Sequence, residues 1–329
     1  MEKSGVVAII GRPNAGKSTL LNRVLGTKLS IVSHKAQTTR DRVLGIFQEE
    51  GKGQMVILDT PGVHSAKDGG VNEFMMNEVE KALHEPDLVW YLVDPESPIK
   101  REETVIETLK KTISAETPVF LIITKSDLKI SRTRLAEKAE GLGTLYPFKK
   151  SFLISSDKDK GVTELLSDSW DILEVGEKLY PDDDSISDKP VRFFVGEFIR
   201  EQLFHRLGEE LPYACAIKID HFKEAETPIK IQATIFVERE SQKGIVIGKA
   251  AAKIKEISMN ARQTITDFLG VPVVLVLKVD ALKDWSRNAK ALEKLGYQLP
   301  KASAGKTAVK AKAKKTARDA RRDAKAKNP

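Results

Sequence analysis

The sequence predicts an α/β domain, a mostly parallel six-stranded sheet with helices on both faces, followed by a compact α+β module and a basic tail. Three observations lead there. Apolar runs alternate with amphipathic stretches over roughly the first 175 residues, as strands and crossover helices do. Two of these runs, Leu88-Val89-Trp90-Tyr91-Leu92-Val93 and Val119-Phe120-Leu121-Ile122-Ile123, are apolar throughout, which suits central strands covered on both sides. Beyond a polar, proline-bounded stretch at 181–190 the order of elements changes, which marks a boundary.

The first strand, 5–10, is the β-branched run Val6-Val7-Ala8-Ile9-Ile10, and a helical pattern follows it at 17–26. Further strands are expected at 43–48, 54–59, 88–93, 118–123 and 151–155, and further helices at 71–84, 101–114, 132–143 and 162–179. After the boundary come a helix at about 192–208, strands at 213–221 and 229–239, a helix at 249–268, a strand at 272–279 and a helix at 284–295. The chain therefore divides into a domain at 1–180, a linker at 181–189, a module at 190–300 and a tail at 301–329. The tail carries no large apolar residue except Val309, and is expected to be disordered until it meets a partner.

A chain of 329 residues is too long for one compact core. The single cysteine, Cys215, excludes an intramolecular disulfide and fits a reducing compartment. No apolar stretch is long enough to span a membrane, and no leader is expected before the first strand, so a cytoplasmic location is expected. The net charge of +7 is uneven: −6 over residues 1–188, +4 over 189–300 and +9 over 301–329. That gradient points to a polyanion at the C-terminal end, either RNA or the anionic inner face of the cell membrane.

Gly11-Arg12-Pro13-Asn14-Ala15-Gly16-Lys17-Ser18 is a complete phosphate-binding loop in strand–loop–helix context, with Thr19 opening the helix. Its glycines let backbone N–H groups turn inward on phosphate oxygens. Lys17 adds a charge near the β/γ-phosphates, and the Ser18 hydroxyl suits Mg²⁺. Asp59-Thr60-Pro61-Gly62 ends a strand, where its carboxylate can hold Mg²⁺ and the Gly62 N–H can reach a γ-phosphate. Thr124-Lys125-Ser126-Asp127 ends another. Asp127 there can accept the N1 proton and the exocyclic amine of guanine, and the Lys125 stem can pack across the base. Ser155-Ser156-Asp157 ends the last strand, and its backbone can meet the guanine O6. Four such segments in order indicate a guanosine nucleotide, GTP or GDP.

In Ala36-Gln37-Thr38-Thr39-Arg40, a threonine hydroxyl, Thr39 in preference to Thr38, can complete the Mg²⁺ shell while a γ-phosphate is present. Val63 follows the D-x-x-G segment where signalling GTPases of the Ras type carry a water-orienting glutamine. Valine cannot do that work. The phosphate loop resembles that of GTPases with a G-x-x-N-x-G-K-S loop and an apolar residue after D-x-x-G, in which the asparagine can ligate K⁺. The resemblance implies that Asn14 binds K⁺ and supports slow hydrolysis. Two other classes compete. A P-loop kinase or ATPase conflicts with Asp127, and a non-catalytic RNA-binding protein, or a membrane-associated nucleotide-binding protein with little hydrolysis, remains open through Val63 and Ala251.

With these residues in place, the chain is similar to the Era-type GTPases over residues 4–297. The resemblance rests on residues 11–18, 30–40 and 59–62, on Gly208-Glu209-Glu210-Leu211-Pro212-Tyr213, on residues 238–249 and on Leu295-Gly296-Tyr297. It implies a type II KH domain at 190–297 and a monomer that binds the 3′ end of 16S ribosomal RNA during late assembly of the small (30S) subunit. Arg239, Lys243, Gly248, Lys249, Lys253, Lys255 and Arg262 surround the expected backbone clamp. Ile245, Ile247, Ile254 and Ile257 are read as core. The chain departs from the family pattern at three positions. The usual G-x-x-G clamp reads Gly248-Lys249-Ala250-Ala251, Thr124 replaces the usual asparagine, and Ser156 replaces the usual alanine.

Overall fold

The computed structural model describes residues 2–63, 69–181 and 185–298, so the basic tail lies outside the described residues. Strand β1 (Lys3–Gly11) runs through the middle of a six-stranded sheet of order β2-β3-β1-β4-β5-β6. Its partners are β2 (Val43–Glu49), β3 (Gly53–Asp59), β4 (Leu88–Val93), β5 (Val119–Ile123) and β6 (Lys150–Leu153). Every pairing is parallel except β2 with β3.

The two-sided burial expected of central strands is present. Val7 and Ile9 of β1 pack with Leu20 of α1 (Lys17–Leu25) and Leu165 of α5 (Val162–Ile172). Ala8 and Ile10 face Val79 of α2 (Val71–Ala82), Leu109 of α3 (Glu103–Thr112) and Leu142 of α4 (Arg132–Gly143). Parallel order with helices on both sides carries the ends of β1, β3, β5 and β6 to one rim.

Helix α5 stops at Ile172, short of the expected 179. Residues 174–176 pair instead with the start of β1: Ser4 N–H donates to Glu174 O at 3.0 Å and Gly176 N–H to Glu2 O at 3.1 Å. The linker is also structured where it is described. Ile46 N–H donates to Ile186 O at 2.9 Å, which covers the edge of β2.

Beyond the linker, α6 (Val191–Arg206) is followed by β7 (Ala216–Lys223), β8 (Ile229–Val237), α7 (Glu240–Ile247), α8 (Ala252–Leu269), β9 (Val273–Ala281) and α9 (Ala289–Lys294). β7 and β8 are antiparallel and β8 and β9 parallel, the topology of a type II KH domain. Helix α7 falls where the sequence reading placed only a turn. Residues 244–247 read locally as more strand, but Arg239 N–H donates to Gln242 Oε1 at 2.9 Å and starts a helix. The last expected helix, 284–295, is a short turn of 3₁₀-helix at Trp285–Arg287 followed by α9. Ile257 and Ile254 pack in this module's core as expected, whereas Ile245 is exposed.

Phe74 and Met75 of α2 pack against Trp285, Leu292 and Tyr297, so a helix that follows the Asp59 segment leans on the far end of the KH module. The Phe74 and Tyr297 rings meet edge to face at 5.2 Å.

Candidate nucleotide site and RNA surface

The phosphate loop is a backbone device whose shape depends on absent side chains. A Cβ at Gly11 would sit 2.3 Å from Leu92 O, and Gly16 caps α1 at φ +88°. No side chain caps the N-terminus of α1, so this end of the helix presents N–H groups and positive dipole to an anion. Gly62 lies on Pro13: a Cβ there would come within 2.6 Å of the proline ring. Val63, buried, donates its N–H to Gly11 O at 3.1 Å, and Thr60 Oγ1 donates to Ile9 O at 2.6 Å. The D-x-x-G segment is thereby held against the phosphate loop, with Pro61 between its two anchors. Arg12 points away and donates to Arg101 O at 2.6 Å, while Ala15 N–H donates to Arg12 O at 3.3 Å and Thr19 lines the cavity beside the loop.

Lys17 is buried, its Nζ donating to Gly11 O (3.1 Å) and Arg12 O (2.9 Å). Burial lowers its pKa to about 8, against the pull of Asp59 and Glu102. A cation under that strain gains most from a phosphate anion. Ser18 Oγ donates to Asp59 Oδ2 at 2.7 Å and lies 3.0 Å from Thr39 Oγ1. Asp59 Oδ1 is buried without a hydrogen-bond partner, and burial pushes the carboxyl above its usual range. An orphaned carboxylate oxygen beside two hydroxyls is the oxygen donor set of a hard divalent cation, so these residues fit Mg²⁺. Thr38 faces elsewhere: its hydroxyl donates to Lys35 O at 2.8 Å and meets Ser33 Oγ at 2.7 Å. Asn14, at φ +64°, donates its amide to His34 O at 2.8 Å, which ties the loop to the 30–40 segment.

At the base end, Thr124 N and Oγ1 both donate to Val93 O (3.0 and 3.2 Å), which secures β5 to β4. Asp127 is exposed. Its Oδ1 accepts from Ser155 Oγ at 2.6 Å, and this bond holds the carboxyl below the ordinary range, so it stays an acceptor near neutrality. Ser156 and Asp157 lie in the turn after Ser155. Lys125 Nζ pairs with Asp94 Oδ2 at 2.7 Å. Asp94 escaped the sequence reading, and a carboxylate closing an apolar strand was the signal that could have found it.

The 30–40 segment also reaches the KH module. Arg40 is buried and donates to Cys215 O (2.9 Å), Tyr213 O (2.8 Å) and Tyr297 Oη (3.2 Å), with its guanidinium over the Trp285 ring. Lys35 donates to Leu207 O, and Val32 N–H to Glu201 Oε1 at 3.0 Å.

The RNA surface is built differently from expectation at two points. Lys243 bridges Asp280 and Glu240, both at 3.4 Å, so it enters the basic group already partnered. Gly248 is at φ +74° and ψ 171°, where a Cβ would lie 2.7 Å from Lys253 Cβ. Ala250 and Ala251 then adopt φ +49° and +60°. Left-handed backbone costs a residue with a Cβ about 1–2 kcal/mol. The loop thus keeps the clamp's turn at the expense of strain, with Lys249, Lys253 and Lys255 beside it and Arg239 at the start of α7. Ala251→Gly is expected to relieve that strain and raise affinity for single-stranded RNA by about fivefold, read by titration of a labelled oligonucleotide.

Residues 6–125 match the family described as 50S ribosome-binding GTPase, and residues 210–286 match the KH domain family. GTPase Era of Geotalea uraniireducens (strain Rf4) is 42% identical over 298 residues, which are 90% of this chain and 98% of the relative. GTPase Era of Geobacter metallireducens is 43% identical over the same length and shares. A crystal structure of Era with MgGDPNP and nucleotides 1506–1542 of 16S ribosomal RNA superposes with a TM-score of 0.85 at 36% identity, covering 91% of this chain and 100% of that one. An Aquifex aeolicus Era variant bound to GDP.AlF4− gives 0.84 at 35% identity, covering 90% and 100%. Among the described residues no helix is long and apolar enough to cross a membrane. The chain is a GTPase with a C-terminal KH domain, and it belongs to the Era family.

Proposed function

We propose that this GTPase is a switch in small (30S) subunit assembly that holds the 3′ end of 16S ribosomal RNA on its KH module while GTP is bound. What supports this reading most is a pair of adjacent residues. Thr39 turns its hydroxyl to Ser18, which in turn donates to Asp59 in the nucleotide site, and Arg40 turns its guanidinium to the KH module. Loss of the γ-phosphate at the first releases the backbone that anchors the second.

In hydrolysis, the N-terminus of α1 and Lys17 bind the β- and γ-phosphates and stabilise charge that builds on them. Ser18, Asp59 and Thr39 would hold Mg²⁺, which neutralises phosphate oxygens. Gly62 would bring its backbone against the γ-phosphate, and only glycine fits there because a Cβ would come within 2.6 Å of Pro13. Val63 is buried and supplies no group for the attacking water. With its amide donated to His34 O, the side chain of Asn14 has only Oδ1 to offer a cation beside the phosphates, and K⁺ suits that weak oxygen site. Turnover is expected to be several-fold faster in KCl than in NaCl at equal ionic strength; equal rates would remove K⁺ from the scheme.

Crosslinking to ribosomal RNA tests the whole reading. Crosslinks from Lys249 and Lys253 to the 3′ end of 16S RNA are expected to be strong with a non-hydrolysable GTP analogue and weaker with GDP. Nucleotide-independent crosslinks, or none at that end, would refute it.

A further inference from the structure

We infer that Asp94 is a positioning residue for guanine: its carboxylate sets the pose of Lys125, and the turn that it opens ties this lysine to the phosphate loop. The inference rests on the reading that Lys125 packs across the base. Asp94 directly follows β4 and divides its carboxylate between two tasks. Oδ2 accepts from Lys125 Nζ at 2.7 Å, and Oδ1 accepts from Glu96 N–H at 2.9 Å. Ser97 N–H closes the turn on Asp94 O at 3.1 Å.

The turn is pinned from behind. Lys138 of α4, 7% exposed, donates to Asp94 O at 2.8 Å, to Pro95 O at 3.4 Å and to Ser97 O. At its other end Ser97 Oγ donates to Glu102 Oε1 at 2.6 Å. That carboxylate is buried and also accepts from Tyr91 Oη at 2.8 Å. Arg12 of the phosphate loop closes the circuit through Arg101 O at 2.6 Å. One segment, 94–102, therefore touches the residue assigned to the base and a residue of the loop assigned to the phosphates.

Stability is the wrong place to look for the value of this pair. The Lys125 and Asp94 side chains are 40% and 22% exposed, and ion pairs of that kind contribute little to folding. Binding is different. The Lys125 backbone is at φ +52°, and its four-carbon side chain, left free, carries a large rotamer entropy. Holding its ammonium on Asp94 before the nucleotide arrives means that less freedom is lost when the base covers the stem.

The test compares the wild-type chain with Asp94→Asn, Lys125→Ala and the double variant, using GDP and inosine diphosphate, which lacks the exocyclic amine. Asp94→Asn is expected to weaken GDP about tenfold, equal to 1.4 kcal/mol, mainly through faster release. Inosine diphosphate should weaken by the same factor, because Asp127 reads the missing amine and Lys125 does not. In the Lys125→Ala background Asp94→Asn should add nothing. Unchanged GDP affinity, additive effects in the double variant, or an altered ratio of GDP to inosine diphosphate would each overturn the inference. If Lys125→Ala alone left GDP affinity intact, the base-site reading itself would fall and the inference with it.

Discussion

Asp127→Asn is expected to weaken GDP by about 10²-fold or more and to make xanthosine diphosphate the better ligand. The carboxylate offers two acceptors, and guanine presents two donors, N1–H and the C2 amine. An asparagine keeps one acceptor and turns the other into a donor, which meets the guanine amine donor to donor. Xanthine carries a carbonyl at C2, so the same amide finds an acceptor there. Ser155 sharpens the effect: its hydroxyl already donates to Asp127 Oδ1 at 2.6 Å and fixes the plane of the group. Competition between the two diphosphates, measured by calorimetry on the wild-type chain and the variant, reads the switch directly. A variant that still preferred GDP would sink the assignment of the base site.

That site was legible in the sequence because each part is a short segment closing a long apolar strand. Strands β3, β4 and β5 are buried at every position and β1 from Val7 to Gly11, so their ends could be located without knowing the fold. Less could be read where tertiary partners outweigh local preference. Residues 173–179 continue a helical pattern, yet pairing with the first residues of the chain draws them out of it. Helix α7 hides in a run with Gly244 and three β-branched residues, and its capping by Gln242 depends on a side chain whose role spacing alone does not disclose. Asp94 meets Lys125 only once β4 and β5 lie side by side, and Glu102 meets Tyr91 only once the segment after β4 folds back on that strand.

The strain at Ala250 and Ala251 has a related lesson. A glycine missing from the clamp does not abolish the turn, because α7 and α8 pack on β8 and β9 and hold the ends of the loop in place. The strain is carried by the folded loop and costs stability, while the Cβ groups of Ala250 and Ala251 stand where a glycine would let a phosphate backbone come close.

Arg40→Ala is expected to separate the two halves of the switch. Removing the guanidinium deletes three hydrogen bonds and leaves the buried Cys215 carbonyl and the part-buried Tyr213 carbonyl without it, a loss of about 3–5 kcal/mol at the contact between the 30–40 segment and the KH module. GDP affinity should stay within about threefold, since no GDP-contacting residue is altered. Three readouts should change. The melting temperature of the GDP-bound protein should fall, and the KH module should lose its extra protection in hydrogen exchange around Tyr213 and Trp285. More telling, the ratio of RNA affinities measured with a GTP analogue and with GDP should collapse toward one, because Thr39 would still sense the γ-phosphate but no longer pull on the module. Arg40→Lys should recover only part, as an ammonium cannot span carbonyls and the Tyr297 hydroxyl with the planar fork that guanidinium provides. A variant that lost stability but kept the nucleotide-dependent ratio would assign Arg40 to packing alone and place the coupling in α2, through Phe74, Met75 and Tyr297.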